Sequence, residues 1–334
     1  MKDFCIVGSG VAGSTIANLL YKKYTIEIFD KARGPGGRAS NRRYKNNLSF
    51  DHGLQYISPR SNDFKKFIVK LKSKKILKEW TGNHLDFTFK IKKNSIKYIG
   101  TKGNNDICKF LIKNIKHNFL SEIIDIKFHS NYWTITSSNG VKAHFKNLIL
   151  TSPFPQLKKL ASKYLDKKIL KLKPQMIENI TVMAVYKNYK KIPISSIKFK
   201  NKIIAWAAQE NTKNRFESNK TLWTIQCTDQ YSKKIINLFK KNKKKYQLKV
   251  LKKFEELTGF KVKDINYQNI HGWRYAYKKL EALEANKMES LWLNKYQLGA
   301  CGDWFCGNKA EDAWLSSNNL FFKIKKNPPK HRRV

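Results

Sequence analysis

The feature that most constrains the fold is the run from Lys2 to Asp30, KDFCIVGSGVAGSTIANLLYKKYTIEIFD. KDFCIV (2–7) predicts a short buried strand, and Ile16, Leu19 and Leu20 follow on helical spacing. TIEIFD (25–30) predicts a second strand, rich in β-branched and aromatic residues and ending on an acid. Strand, glycine turn, helix and strand make a βαβ unit, which implies a parallel sheet. Gly8, Gly10 and Gly13 stand where a dinucleotide-binding turn needs them. The first permits the tight turn, the second lets a pyrophosphate approach the backbone, and the third allows close helix–strand packing. The helix that opens at Val11 and Ala12 then presents roughly half a positive charge to the phosphates. Asp30, 22 residues after Gly8, is placed to hold ribose hydroxyls, with Lys31 beside it.

The segment DKARGPGGRASNRR (30–43) also admits a different reading, an arginine–glycine arm for RNA. The net charge of +44, from 68 Lys and Arg against 24 Asp and Glu, encourages it. With 41% hydrophobic and 13% aromatic residues the chain is nevertheless globular rather than a disordered basic tail. The segment is held between one strand and the next element, which disfavours a specific nucleic-acid site. The lysines are spread along the whole chain among many Asn and Ile, which reads as solvated surface on a biased composition. Such a field also steers anionic ligands and permits weak binding to anionic surfaces.

Five scattered cysteines with no C-x-x-C pair argue against a disulfide framework and fit a reducing, cytoplasmic compartment. Seven histidines lack metal-ligand spacing, so no metal site is expected. The apolar N-terminal run is broken by its glycines, so it does not read as a signal peptide. No apolar window is long enough for a membrane span.

Further along, NDFKKFIVKLKS and NDICKFLIKNIKHN predict helices, and LDFTFKIKKNSIKYIG predicts paired strands. EIIDIKFHSNYWTITSSNGVKAHF predicts a β-meander turning at Asn139-Gly140. ENITVMAVYK, IIAWAAQ, LWTIQC and INYQNIHGWRYA predict further strands, with two lysine-rich helices before the last. An acidic-leaning stretch follows, and the terminal NPPKHRRV reads as a frayed tail.

The acid at Asp30 followed by Gly36-Gly37-Arg38 resembles the fingerprint of the amine oxidase and phytoene desaturase flavoprotein superfamily. LGACGDWFCG (298–307) resembles the C-terminal flavin motif of the same group. FDHGLQYIS (50–58), YIGTKGNNDIC (98–108), LILTSPFPQ (148–156), IAWAAQENTKNR (204–215), HGWRYA (271–276) and GDW…DAWLSS (302–317) together resemble the renalase-like family. The sequence departs from that pattern at TKNR, where a Pro-Gly is expected, and near Asp312 and Ser317, where glycines are expected.

The resemblance implies an α/β fold, a Rossmann-type FAD-binding domain with a β-sheet-rich substrate domain. The expected division is 1–60, 97–160 and 290–334 for FAD, and 61–96 and 161–289 for the substrate. FAD is expected to be noncovalent, with no bond from Cys306. The implied contacts are Gly36, Gly37 and Arg38 at the pyrophosphate and Gly302 and Asp303 at the ribityl chain. The helix from about Lys309, with Ala313 in its first turn, is expected to face the flavin N1–C2 carbonyl, where it would stabilise the reduced ring.

The implied reaction is oxidation of 2- or 6-reduced dihydropyridine isomers of NAD(P)H. Hydride passes to flavin N5, and dioxygen reoxidises the flavin to give hydrogen peroxide. An amine oxidase, a desaturase and a non-catalytic basic binding protein are the alternatives. The substrate is expected to be a small anionic dinucleotide. Trp206, Trp223, His271, Trp273, Tyr275 and Trp304 are candidate ring-contacting walls, with His271 and Trp304 nearest the chemistry. Charge on His271 is a candidate aid to the oxygen step. Gln209 and Asn211 are candidate partners of a nicotinamide amide, and Arg274 of a phosphate. Asp51-His52 reads either as a catalytic pair or as a packed loop beside the flavin.

Overall fold

The computed structural model describes residues 1–45, 47–91, 96–188, 192–280 and 288–329. The predicted βαβ unit is present: strand Lys2–Val7, helix Val11–Leu20 and strand Ile26–Phe29. Lys2–Val7 lies at the centre of an eight-stranded sheet, parallel to Ile26–Phe29 on one side and to Lys142–Leu150 on the other. Leu298–Ala300 extends the parallel order beyond Lys142–Leu150, so the C-terminal motif joins the same sheet as the N-terminal one. The meander appears as Ile123–Phe128, Trp133–Ser137 and Lys142–Leu150, antiparallel to one another.

Both faces of this sheet are covered, as parallel strands buried on two sides require. Ile16 and Leu20 of the first helix pack with Leu320 and Ile324 of helix Ala310–Lys326 on one face. Phe29, Phe145, Trp133 and Phe154 fill the other.

The second sheet has six strands, in the order Ile265–Lys278, Met176–Tyr186, Thr221–Cys227, Ile204–Gln209, Ile194–Lys198 and Asn83–Leu85. Its first five strands are antiparallel neighbours. Helices Asp229–Ile235 and Lys243–Thr258 cover one face, where Ile180, Val182, Trp223 and Ile225 meet Ile235, Val250 and Phe254. The opposite face turns toward the hairpin Asn41–Arg43 and Ser49–Asp51, whose Phe50 packs on Met183, Val185 and Leu222.

Three expectations need correction. The segment from Asn105 is helical only over Asp106–Leu111; Lys116–Asn118 instead pairs with Ile26–Phe29 as the sheet's edge strand. Satisfying that open ladder edge outweighs the local helical pattern. In the expected strand pair around 85–100, Asn83–Leu85 joins the six-stranded sheet and Tyr98–Gly100 pairs with Leu77–Glu79. Helix Asn62–Ser73, expected on the substrate side, places Phe64, Ile68 and Leu71 in the core of the first sheet. Leu165 and Ile169, also expected on the substrate side, likewise pack against the first sheet. Most of the acidic-leaning stretch (281–287) and the last five residues lie outside the described residues.

Candidate cofactor and substrate site

The glycine turn builds a ledge of bare backbone. Gly8 has a φ of +104°, and a Cβ there would lie 2.5 Å from Thr151 Oγ1. A Cβ on Gly13 would sit 1.9 Å from Gly8 O, so no larger residue fits. Gly10 differs: its hypothetical Cβ would meet only Gly36 O at 3.8 Å and Gly37 Cα at 3.9 Å. The two glycine segments are joined, since Gly10 and Gly36 form a parallel bridge and Gly36 N donates to Ser9 O at 3.0 Å. No side chain caps the helix that starts beyond Gly10, and its first turn holds no acid. The positive helix end above exposed glycine backbone therefore fits a pyrophosphate. Asp30 accepts from Ser9 N at 2.7 Å, Ser9 Oγ at 2.6 Å and Ala32 N at 2.8 Å, so it braces the turn. Lys31 points elsewhere, with its Nζ 4.0 Å from Glu122 on the surface.

The C-terminal motif closes on this ledge. Arg38 donates to both carboxylate oxygens of Asp303, at 2.8 and 2.5 Å, and to Ala276 O at 3.1 Å. Gly302 precedes Asp303 and donates its N–H to Ser316 Oγ at 3.0 Å. Ala313 is buried in the first turn of the last helix. That turn departs from the expectation, because Asp312 Oδ2 accepts from Asn308 N at 2.9 Å and Lys309 N at 2.8 Å. Glu311 and Asp312 also pair with Arg60. The helix end is thus already neutralised by its own carboxylates. Trp304 is corrected as well. It is 3% exposed, stacks on Phe305 at 3.8 Å and donates to Ser152 O at 3.2 Å, so it is a core side chain.

Strand alternation sorts the other aromatic candidates. Register places His271, Thr181, Gln226 and Trp206 side by side in one row across four strands. Side chains of such a row share a face, and this one lies opposite the covering helices. Trp273 follows His271 on that face. Its Nε1 donates to His52 O at 2.8 Å, and its ring lies 3.0 Å from where a Cβ on Gly53 would stand. Gln226 Nε2 donates to Gly53 O at 2.9 Å, and Leu54 N to Arg38 O at 2.8 Å. The 51–56 loop is thereby clamped between the Gly-Gly-Arg segment and the row.

Trp223 points the other way, into the helix-covered core against Phe254 and Phe260, and is 1% exposed. Gln209 is fully buried, its amide placed to donate to Ile194 O at 2.9 Å. Asn211 holds main chain, accepting from Leu222 N at 2.8 Å and donating to Lys220 O at 2.9 Å. Neither amide is presented to a ligand. Arg274 is exposed and Tyr275 half-buried. Both fall in a bulge where five residues, Trp273 to Tyr277, match the three from Asn179 to Ile177.

A buried ionic cluster was not foreseen. Asp51 Oδ2 accepts from Lys213 Nζ at 2.8 Å and Arg215 Nη1 at 2.5 Å, and Oδ1 accepts from Asn104 N at 3.0 Å. Lys213 also pairs with Glu210 at 2.9 Å and stands 5.2 Å above the Trp80 ring. No side chain of the four ions is more than 2% exposed. Burial alone would raise the Asp51 carboxyl, but Arg215 and Lys213 outweigh it and hold the group well below the usual carboxylate range. Burial raises Glu210. The signal for this cluster is only the alternation of charges in ENTKNR, which in isolation reads as a solvated loop.

Asp51 is therefore committed to the cluster and does not form a catalytic pair with His52. Burial, aided by His271 and Arg42, lowers His52 to about 3. Burial, Arg42 and Lys240 lower His271 to about 4. Both rings are neutral at pH 7, which corrects the expectation of a charged His271.

Cys5, Cys108, Cys227 and Cys301 are buried and free, and Cys306 is partly so. Burial raises all five thiols: Cys108, Cys301 and Cys306 to about 12, Cys5 and Cys227 beyond any physiological range. Among the described residues no cluster of His, Cys, Asp and Glu could hold a metal ion, and no helix is long and apolar enough to cross a membrane.

Comparison with known proteins agrees with this geometry. Residues 6–71 match the model of an NAD(P)-binding Rossmann-like domain. Mouse (Mus musculus) renalase is 28% identical over 175 residues, covering 48% of this chain and 49% of its own. An uncharacterized protein of Methanocaldococcus jannaschii is 28% identical over 195 residues, covering 50% of this chain and 53% of its own. The chain thus spans about half the length of the curated relatives it matches. Among solved structures, a protein assigned as a protoporphyrinogen oxidase from Exiguobacterium sp. 255-15 superposes with a TM-score of 0.76. It is 11% identical, and the match covers 98% of this chain and 99% of that one. A cofactor-binding variant of putrescine oxidase gives 0.73 at 10% identity, with the same coverage. The fold is that of the two-domain flavin amine oxidases.

Proposed function

We propose that this renalase homologue, built on the two-domain fold of the flavin amine oxidases, is an FAD-dependent oxidase of dihydropyridine isomers of NAD(P)H. The observation that carries the reading is the position of Trp273. It lies on the open face of the six-stranded sheet and against Gly53, in the loop that also touches Arg38. A flat, electron-rich substrate ring on that face would lie beside the cofactor loop.

Bound FAD supplies the hydride acceptor, and dioxygen returns it to the oxidised form. In this reading Gly10 leaves room for the pyrophosphate, Gly36 and Gly37 pack close to shape the same ledge, and Asp30 holds the turn and the adenosine end. Arg38 and Asp303 hold the far end of the cofactor. Trp273 orients the substrate ring by stacking, and Thr181, Gln226 and Trp206 continue the face away from it. A neutral dihydropyridine that gives up hydride becomes an aromatic cation without losing a proton. The neutral His52 and His271 suit such a reaction, because no charged acid or base is required. The clamped 51–56 loop excludes water from the ring edge. The proposed division assigns the eight-stranded sheet and its helices to FAD, and strands Asn83–Leu85 and Met176–Tyr186 to Ile265–Lys278 to the substrate. A reducing cytoplasmic setting completes the proposal.

Anaerobic titration of the yellow protein with borohydride-reduced NAD+ or NADP+, with amines in parallel, tests it. The expected result is bleaching of the flavin band by the reduced nicotinamides within the mixing time. Bleaching by amines alone would overturn the assignment.

A further inference from the structure

We infer that Arg42, directed to the sheet face that carries His271 and its neighbour His52, forms a binding site for one anionic group of the substrate, a phosphate or a carboxylate. The inference deepens the proposed function and rests on it only for which molecule carries the anion.

Arg42 stands opposite Phe50 in the Asn41–Arg43 and Ser49–Asp51 hairpin. Partners across an antiparallel pair point to one face. Phe50 is wholly buried against the open face of the six-stranded sheet, so Arg42 is directed there too. Two residues on, Tyr44 shares that direction and stacks on Tyr267 at 4.2 Å. Tyr267 and His271 project from the same side of one strand, and the His52 ring lies 4.9 Å from that of His271. The charge of Arg42 acts on both imidazoles.

What marks the place as a site is its missing partners. Among the described residues no hydrogen bond or ion pair engages the Arg42 side chain, and its Nε is enclosed without an acceptor. His52 is 5% exposed, and its Nδ1 is likewise enclosed and unpartnered. A guanidinium N–H and an imidazole nitrogen, both enclosed and unmatched, are costly unless an occupant supplies oxygen. Arg42 brings the charge and a planar fork suited to phosphate or carboxylate, and the neutral rings add hydrogen bonds. The His52 ring is also 5.2 Å from Trp273. A substrate whose ring rests on that tryptophan therefore has its anionic arm within reach of Arg42.

The test is calorimetric titration of the holoprotein with pyrophosphate and, separately, benzoate, at physiological salt where loose surface attraction is screened. Wild type, Arg42→Gln and Arg42→Lys are compared, with unfolding temperatures as the control for folding. The expected result is one event per chain for at least one of the two ions. It should weaken at least about tenfold in R42Q and recover in part in R42K. If R42Q does not fold, His52→Gln is expected to weaken the same event. Which ion binds tells the source of the anion apart. Absence of the event in wild type, or superimposable wild-type and R42Q isotherms, would overturn the site. Turnover of reduced nicotinamides is read separately: if it fails while binding still needs Arg42, the site stands and only the substrate class falls.

Discussion

Arg38 and Asp303, 265 residues apart in the chain, hold each other through two parallel hydrogen bonds of 2.8 and 2.5 Å. One belongs to the glycine-rich segment after the second strand, the other to the turn after Leu298–Ala300. Asp303 is 4% exposed, so the pair is partly withdrawn from water. Truncating one member strands the other charge, which costs about 3 kcal/mol or more in such settings. Asp303→Asn is expected to loosen FAD by about tenfold or more and to lower the unfolding temperature, read by flavin release on dialysis and by calorimetry.

Gly10 and Gly13 separate cofactor binding from folding. Gly10→Ala meets nothing closer than 3.8 Å, so the fold should persist while the new methyl group occupies the ledge. The expected product is a folded, colourless protein with near-native unfolding temperature. Gly13→Ala drives a methyl group onto Gly8 O at 1.9 Å, and is expected to fail in folding or to lose several degrees of stability. Visible absorbance and circular dichroism distinguish the two.

The two tryptophans Trp223 and Trp273 should divide in the same way. Trp223→Ala empties a core site and is expected to cost about 3–5 kcal/mol of stability, with flavin absorbance unchanged in whatever fraction folds. Trp273→Phe gives up the hydrogen bond to His52 O, a smaller loss of about 1–2 kcal/mol, and should raise KM for reduced nicotinamides. Equal effects on both readouts would contradict the assignment of faces.

This division explains what the sequence could and could not disclose. Gly8, Gly10, Gly13 and Asp30 were legible because their meaning lies in local spacing along one strand–turn–helix unit. Trp206 and Trp223 sit in equally plausible strands, and only the register, Trp206 beside Gln226, tells which side each takes. Lys213 and Arg215 carry no local sign of their burial, because their partner Asp51 is over 150 residues away in sequence. The edge strand Lys116–Asn118 was hidden for the same reason: its ladder partner is remote.

His52 and His271 predict a pH dependence. Their folded-state values, about 3 and about 4, lie below the usual 6.5. The unfolded chain therefore binds protons first as pH falls, and stability declines with decreasing pH from about 6.5 toward 4. Asp51 acts lower, since a depressed carboxyl contributes stability above about pH 4 that is lost as acid finally protonates it. Replacing both histidines by glutamine should flatten the decline between pH 6.5 and 4 in chemical-denaturation curves.

The state of the thiols has a consequence for durability. In the proposed reaction peroxide forms within reach of the protein, and at cysteine it is the thiolate that peroxide attacks. Here every cysteine is kept in its unreactive, protonated form by the hydrocarbon around it. The protein thus offers peroxide no ready cysteine thiolate, and under the proposed activity its working lifetime in air is set by something other than cysteine.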